Sequence, residues 1–215
     1  SGPVYTGDDY HAPEQDQARG MTVAVSAPYE KVSGVVGEGA VYVYEQLVGY
    51  GGGTGYAWEL RTVVEPYTLL GHAQQPEDYA NMRLGCVLAL SGDTLVMSAK
   101  LCIPAQLPYN DPGEVWSVHR KITHDGNVAM PSWTHTRKVI PPPIDNWERM
   151  LFGSALDLVD RGSAGLVLVV GEFPKERIHV YTCFECSNNA SGPLAVEPWT
   201  WNQTIYADGL EHAQN

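Results

Sequence analysis

Two apolar runs set the pattern of this chain: Leu151-Phe152-Gly153-Ser154-Ala155-Leu156-Asp157-Leu158 and Leu166-Val167-Leu168-Val169-Val170-Gly171-Glu172. Between them stands the polar turn Asp160-Arg161-Gly162-Ser163-Ala164-Gly165. The first run alternates in part, with Phe152, Leu156 and Leu158 among its apolar positions. The second is a nearly continuous aliphatic run of the length a buried strand needs. The same arrangement occurs about 68 residues earlier, as Leu84-Gly85-Cys86-Val87-Leu88-Ala89-Leu90, the turn Ser91-Gly92-Asp93, and Thr94-Leu95-Val96-Met97-Ser98-Ala99.

Three further strands are predicted nearer the start: Met21 to Pro28, the alternating Gly39-Ala40-Val41-Tyr42-Val43-Tyr44-Glu45, and the Trp-led Trp58 to Val64. They too recur. Val25-Ser26-Ala27-Pro28, Met97-Ser98-Ala99-Lys100 and Val170-Gly171-Glu172-Phe173 lie 72 and 73 residues apart. Gly39 to Tyr44 returns as Gly113-Glu114-Val115-Trp116-Ser117-Val118 and as Glu176-Arg177-Ile178-His179-Val180-Tyr181. The Trp-led strand returns at Trp133 and again at Trp199. Four strands per unit at a period near 70 residues is the pattern of a four-stranded propeller-type blade. The expected fold is therefore all-β and β-propeller-like, a partial propeller of about three four-stranded antiparallel blades over residues 20–80, 81–148 and 149–215. Residues 1–19 form a polar segment ahead of them: Ser1-Gly2-Pro3, of the kind left by removal of a tag, then an irregular strand or loop.

Composition narrows the function classes. Asp and Glu outnumber Lys and Arg by 25 to 13, a formal charge of −12 with no basic stripe, which argues against nucleic acid and anionic membrane surfaces as partners. Plentiful Gly (22) and Pro (15) favour short strands and turns over long helices. No apolar run approaches the ~18 residues needed to span a bilayer, so no membrane insertion is expected of this segment.

The repeated elements resemble the FG-GAP repeat, the blade unit of integrin-α-type β-propellers. The residues that carry the resemblance are Leu84-Gly85 and Phe152-Gly153, each followed by a Leu-x-Leu strand, and the aliphatic strand ending in Ser26-Ala27-Pro28. The Gly-x-Val-Tyr-Val-Tyr strand from Gly39 and the Trp-led strands complete it, over roughly residues 20–209. The first unit lacks a Phe-Gly strand near Tyr10–Gln17, and the Ser-Ala-Pro end becomes Ser-Ala-Lys and Gly-Glu-Phe later. The resemblance implies a binding or adhesion module on a cell-surface or secreted protein. A propeller attached to an extracellular hydrolase, or a carbohydrate-binding module, is the alternative. A further Phe-Gly would fall near position 220, so a piece of a larger propeller is expected. With three blades, two sheet edges stay open, which predicts a protein partner or self-association that completes the ring.

Candidate chemistry is sparse. Cys86 with Cys102 and Cys183 with Cys186 suit two disulfides, with buried free thiols as the other reading; a zinc site would need a second closely spaced pair. Sequons at Asn189 and Asn202 point to the secretory pathway. His119, His135 and His179 fall on strands, where a hydrogen-bonded structural role is the default, and no His spacing suits a metal. Trp116, Trp133, Trp147, Trp199 and Trp201 are expected mainly to seal the spaces between blades, with sugar stacking or a protein contact as the other use. Neither a Gly-x-Ser-x-Gly elbow nor a phosphate loop is present, so no catalytic residue, metal or cofactor is assigned. Integrin-type repeats carry Ca²⁺ loops between their first two strands, but Asp93 and Asp160 each stand as the single carboxylate of their loops, and Ca²⁺ wants several oxygens. Calorimetric titration with Ca²⁺ is expected to show no binding heat, and chelator no change in melting temperature; a shift of several degrees would contradict this.

Overall fold

The computed structural model describes residues 21–31, 34, 36–48, 56–70, 80–101, 113–125, 128–143, 151–173, 175–184, 186 and 199–207. Three antiparallel sheets account for its strands, none of them closed. Sheet 1 holds β1 (Thr22–Ala27), β2 (Ala40–Val48) and β3 (Tyr56–Val64). Sheet 2 holds β4 (Leu88–Ser91), β5 (Thr94–Ala99), β6 (Glu114–Asp125) and β7 (Val128–Lys138). Sheet 3 holds β8 (Leu151–Asp160), β9 (Leu166–Phe173), β10 (Arg177–Cys183) and β11 (Thr200–Tyr206). Within each sheet the strands follow one another in chain order, so each unit is an up-and-down meander. The chain is all-β, as its pattern predicts.

The sheets lie face to face, with sheet 2 in the middle. Its strand β5 is buried at every position, which a strand reaches only when both faces of its sheet are covered. The alternation of side chains along a strand then divides the core in two. Val41, Val43 and Val64 of sheet 1 meet Leu95, Met97, Trp116, Val118 and Trp133 of sheet 2. On the opposite side, Val96 and Val115 of sheet 2 meet Phe152, Leu168, Val170 and Tyr181 of sheet 3. In sheet 3 only the inward positions are sealed: along β10, Arg177, His179, Tyr181 and Cys183 are buried, while Ile178 stands exposed between them.

Some elements differ from expectation. Leu84 to Val87 does not enter a strand; β4 begins at Leu88. Gly85 there has φ +90° and its N–H reaches the Ser98 carbonyl, while the Val87 N–H bonds the Ser98 hydroxyl, which holds the segment as a turn. A one-turn helix, α1 (Pro66–Leu70), follows β3 and was not expected. Pro66 suits a first helical position, and the Glu65 N–H is bonded by the Thr68 hydroxyl. Residues 1–20, where a first strand of the first unit would fall, lie outside the described residues.

Glycines set how closely the sheets approach. Gly85 and Gly153 both have positive φ, +90° and +92°. A Cβ on Gly85 would meet Val41 Cγ2 and Ser26 Cβ at 2.8 Å; on Gly153 it would meet Val115 Cγ2 at 2.6 Å and Ser98 Cβ at 3.2 Å. Val41 and Val115, and Ser26 and Ser98, hold corresponding places in successive units. In return, the unit before each presents a glycine of its own: Gly39 lies against the Leu84 backbone and Gly113 against the Phe152 carbonyl. The Leu-Gly and Phe-Gly signatures are therefore the points where one sheet locks on the next. Leu84 and Phe152 plug the two cores there, 0% and 1% exposed.

Gly153→Ala is expected to destabilise the protein by about 2–4 kcal/mol, combining strain at positive φ with overpacking against Val115. Gly162→Ala, also at positive φ but with open space around it, should cost about 1 kcal/mol. Urea unfolding of both variants checks the difference, and equal losses would refute the close-approach account.

Candidate functional site

Buried polar side chains concentrate in three places. At the junction of sheets 1 and 2, the Glu45 carboxylate on β2 forms an ion pair with Arg120, whose Nε lies 2.8 Å away, and accepts Arg120 Nη2 at 3.4 Å, Arg61 Nε at 3.1 Å and the Trp133 indole N–H at 3.2 Å. Arg120 also reaches Asp93 at 3.3 Å. At the junction of sheets 2 and 3, His119 Nδ1 lies 3.0 Å from the Thr94 hydroxyl and its Nε2 3.2 Å from the Ser117 hydroxyl and 3.9 Å from Cys186 Sγ. The Trp199 indole N–H donates to that Ser117 hydroxyl at 2.9 Å.

The third cluster lies on the inner face of sheet 3. Arg177 grips Glu172 through two bonds, Nε at 2.8 Å and Nη2 at 2.7 Å. His179 Nε2 lies 2.7 Å from Glu172 Oε2, and its Nδ1 lies 2.9 Å from the Thr204 hydroxyl. Burial pushes the Glu172 carboxyl up, but the bonds from His179 and Arg177 outweigh it and hold the group below its ordinary value of 4.5. Glu114 on β6 is depressed in the same way: Lys100 at 3.1 Å and Lys138 at 3.0 Å offset its burial.

Residue types alone would allow Ser117 and His119 to act as nucleophile and base, with Thr94 orienting the imidazole. Their placement does not. Ser117 is 0% and His119 4% exposed, and the serine hydroxyl is occupied by Trp199. The His179–Glu172 pair is equally enclosed. These groups satisfy one another inside the stack, as buried polar atoms generally do. The first two clusters bridge neighbouring sheets, and the third ties β9, β10 and β11 together within sheet 3.

The residues singled out by sequence fall as follows. Cys183 and Cys186 are joined in a disulfide. Cys86 is disulfide-bonded as well, and Cys102 lies outside the described residues. Asn202 is exposed on β11 and bonded to Thr182, while Asn189 lies outside the described residues. Trp116, Trp133 and Trp199 are buried between sheets, Trp201 is half-buried, and Trp147 lies outside the described residues. The Asp160 carboxylate accepts the Gly162 N–H at 2.7 Å, closing its own turn. Among the described residues no three His, Cys, Asp or Glu converge as metal ligands. Sequence reasoning missed Glu45, Glu172 and Arg177 as buried hubs. The signal was available for two of them, because Gly-Glu-Phe and Glu-Arg-Ile depart from the repeat where Glu172 and Arg177 stand.

Among the described residues, both outer faces of the stack carry exposed apolar side chains. On sheet 1, Val23, Val25, Trp58 and Leu60 are 41–49% exposed beside Tyr42 and Tyr44. On sheet 3, Val159, Phe173 and Ile178 are 42–55% exposed. Exposed apolar side chains gathered on one sheet face are a mark of interaction sites. No protein-family model matches this chain, and neither a curated protein nor a solved structure does so.

Glu172→Gln is expected to lower stability at neutral pH by about 3–5 kcal/mol, because it leaves the Arg177 charge buried without its counterion. Glu172 is depressed in the folded state, so its contribution is present above the unfolded value of 4.5 and is lost as pH falls through the lower folded value. The gap between variant and parent should therefore narrow below pH 4.5 in urea titrations at a series of pH values. A gap that does not change with pH would contradict the assignment.

Proposed function

We propose that this chain is a non-enzymatic protein-binding module, built as consecutive blades of an FG-GAP-like β-propeller and working outside the cell or at its surface. The observation that carries the reading is the contrast between interior and ends. The Glu45 and Ser117–His119 clusters are enclosed where sheets join and the Glu172 cluster within sheet 3, while the two outer sheet faces present apolar side chains to water. The repeated glycine locks support the propeller part of the reading, since each sheet meets the next through the same positions, as blades do. The Cys183–Cys186 disulfide suits an oxidising compartment.

The test pairs two measurements on the purified chain. Against an array of extracellular protein domains, at least one saturable interaction is expected, abolished by a charged substitution on an outer sheet face. Against chromogenic ester, peptide and glycoside substrates, no turnover is expected. Turnover that survives re-purification, with no saturable binding, would replace the module by an enzyme.

A further inference from the structure

Three tryptophans occupy one structural position in the three sheets. In sheet 1 Trp58 pairs with Gln46 across β2 and β3; in sheet 2 Trp133 pairs with Arg120 across β6 and β7. Gln46 and Arg120 correspond, because the strand pairs Ala27↔Ala40 and Ala99↔Glu114 fix the register between the units. In sheet 3 the pair Glu172↔Arg177 fixes the same register, and Trp199 immediately precedes Thr200, the partner of Thr182. The environments differ. Trp133 is 5% exposed and its indole N–H reaches Glu45 on the preceding sheet; Trp199 is 8% exposed and reaches Ser117 on the preceding sheet. Trp58 is 46% exposed, and among the described residues no sheet precedes its own.

The opposite end of the stack carries the complementary face. The positions that cover the following sheet are Val41, Val43 and Glu45 on β2, and Val115, Ser117 and His119 on β6. The same register places Ile178, Val180 and Thr182 there on β10, and these face outward. Thr182 thus stands where Glu45 and His119 stand, with its hydroxyl beside Asn202. The chemistry matches as well. The inner junction of sheets 1 and 2 sets aliphatic Val41 and Val43 against Trp116 and Trp133. The outer faces set aliphatic Ile178 and Val180 at one end and Tyr42, Tyr44 and Trp58 at the other. Tyr42 is anchored in that face: its hydroxyl bond to Glu30, with burial, pushes its pKa up to about 12.

We propose that the outer face of sheet 3 docks on the outer face of sheet 1 of a second copy of this chain, repeating the internal junction, with Trp58 covered as Trp133 and Trp199 already are. Two such junctions between two copies put six sheets in one circuit, within the ~4–8 blades at which propellers close. Each junction sets the back of one copy on the front of the other, and because it occurs twice the pair closes about a two-fold axis. Each copy carries a charge of −12, so the association strengthens as salt screens their repulsion. This inference rests on the blade reading given under the proposed function and specifies the partner.

The test uses the full unglycosylated chain in sedimentation equilibrium at micromolar concentration and physiological salt, with Trp58→Glu and Ile178→Glu, both at exposed positions. The parent chain is expected at twice its 23.5 kDa mass, and each variant alone at the single mass. An equimolar mixture of the two variants is expected to restore a 1:1 pair, because each keeps one intact face that the other can use. Circular dichroism and melting of each variant establish that it is folded; a variant that does not fold is replaced by Leu60→Glu or Phe173→Glu on the same face. A parent chain that stays monomeric overturns the proposal, and so does a face-symmetric pairing, in which one variant remains a dimer alone and the mixture restores nothing. A monomeric parent that still binds an extracellular domain through an outer face would defeat the second copy and leave the binding-module reading standing.

Discussion

The distance between successive sheets depends on two glycines without side chains at the points of closest approach. Gly85 rests on Val41 and Ser26, and Gly153 on Val115 and Ser98, while Gly39 and Gly113 clear the space for the backbones of Leu84 and Phe152 from the other side. With the backbones drawn this close, Leu84 and Phe152 enter the cores as plugs. Phe152 then stands edge-on to Tyr181, with the rings 6.3 Å apart, and 5.7 Å from the His179 ring. The burial of β5 on both faces follows from the same spacing, because side chains of ordinary length reach the neighbouring sheets on either side only at close range.

Where the chain departs from its own repeat, the departure comes with its compensation. The cross-strand pair Ala27↔Ala40 of sheet 1 becomes Glu172↔Arg177 in sheet 3. The carboxylate and the guanidinium arrive together, and His179 and Thr204 take up the remaining polar capacity. The change of Ser-Ala-Pro to Ser-Ala-Lys at Lys100 is likewise met by Glu114 across the strand. Either charge alone would be expensive to bury; the pair is tolerated because it is fully bonded. Such pairs pin the register of neighbouring strands within their own sheet.

Much of this architecture was legible in the sequence. The period near 70 residues pointed to the three sheets; the aliphatic run from Leu166 located β9 to within one residue, and the alternating run from Gly39 located β2 but ended three residues short of Val48. Short-range geometry was harder. Leu84 to Val87 reads as a strand because three of its four residues are apolar, yet the positive φ of Gly85 breaks the ladder, and torsion angles leave no mark on a hydrophobic pattern. Helix α1 escaped notice because a single turn is too short to show a 3.6-residue period. The buried hubs were illegible for another reason. Glu45, a lone acid at the end of an alternating strand, looks solvent-facing until Arg120 and Trp133, 75 and 88 residues further on, are brought to it.

Each sheet in the stack has a front and a back that differ: the tryptophans Trp133 and Trp199 face the sheet before, while Val41 and Val43 or Val115 face the sheet after, so the stack has a direction. That polarity bears on how such a chain can grow. Tandem duplication of one unit, in frame with its period, inserts a sheet whose front already fits the back before it and whose back already fits the front after it. No new interface has to be found. Inversion of a unit's order or deletion of half a unit would set like faces together, and the glycine locks would miss their valines. The architecture is therefore tolerant of whole-unit copying and intolerant of every other change in length within its sheets.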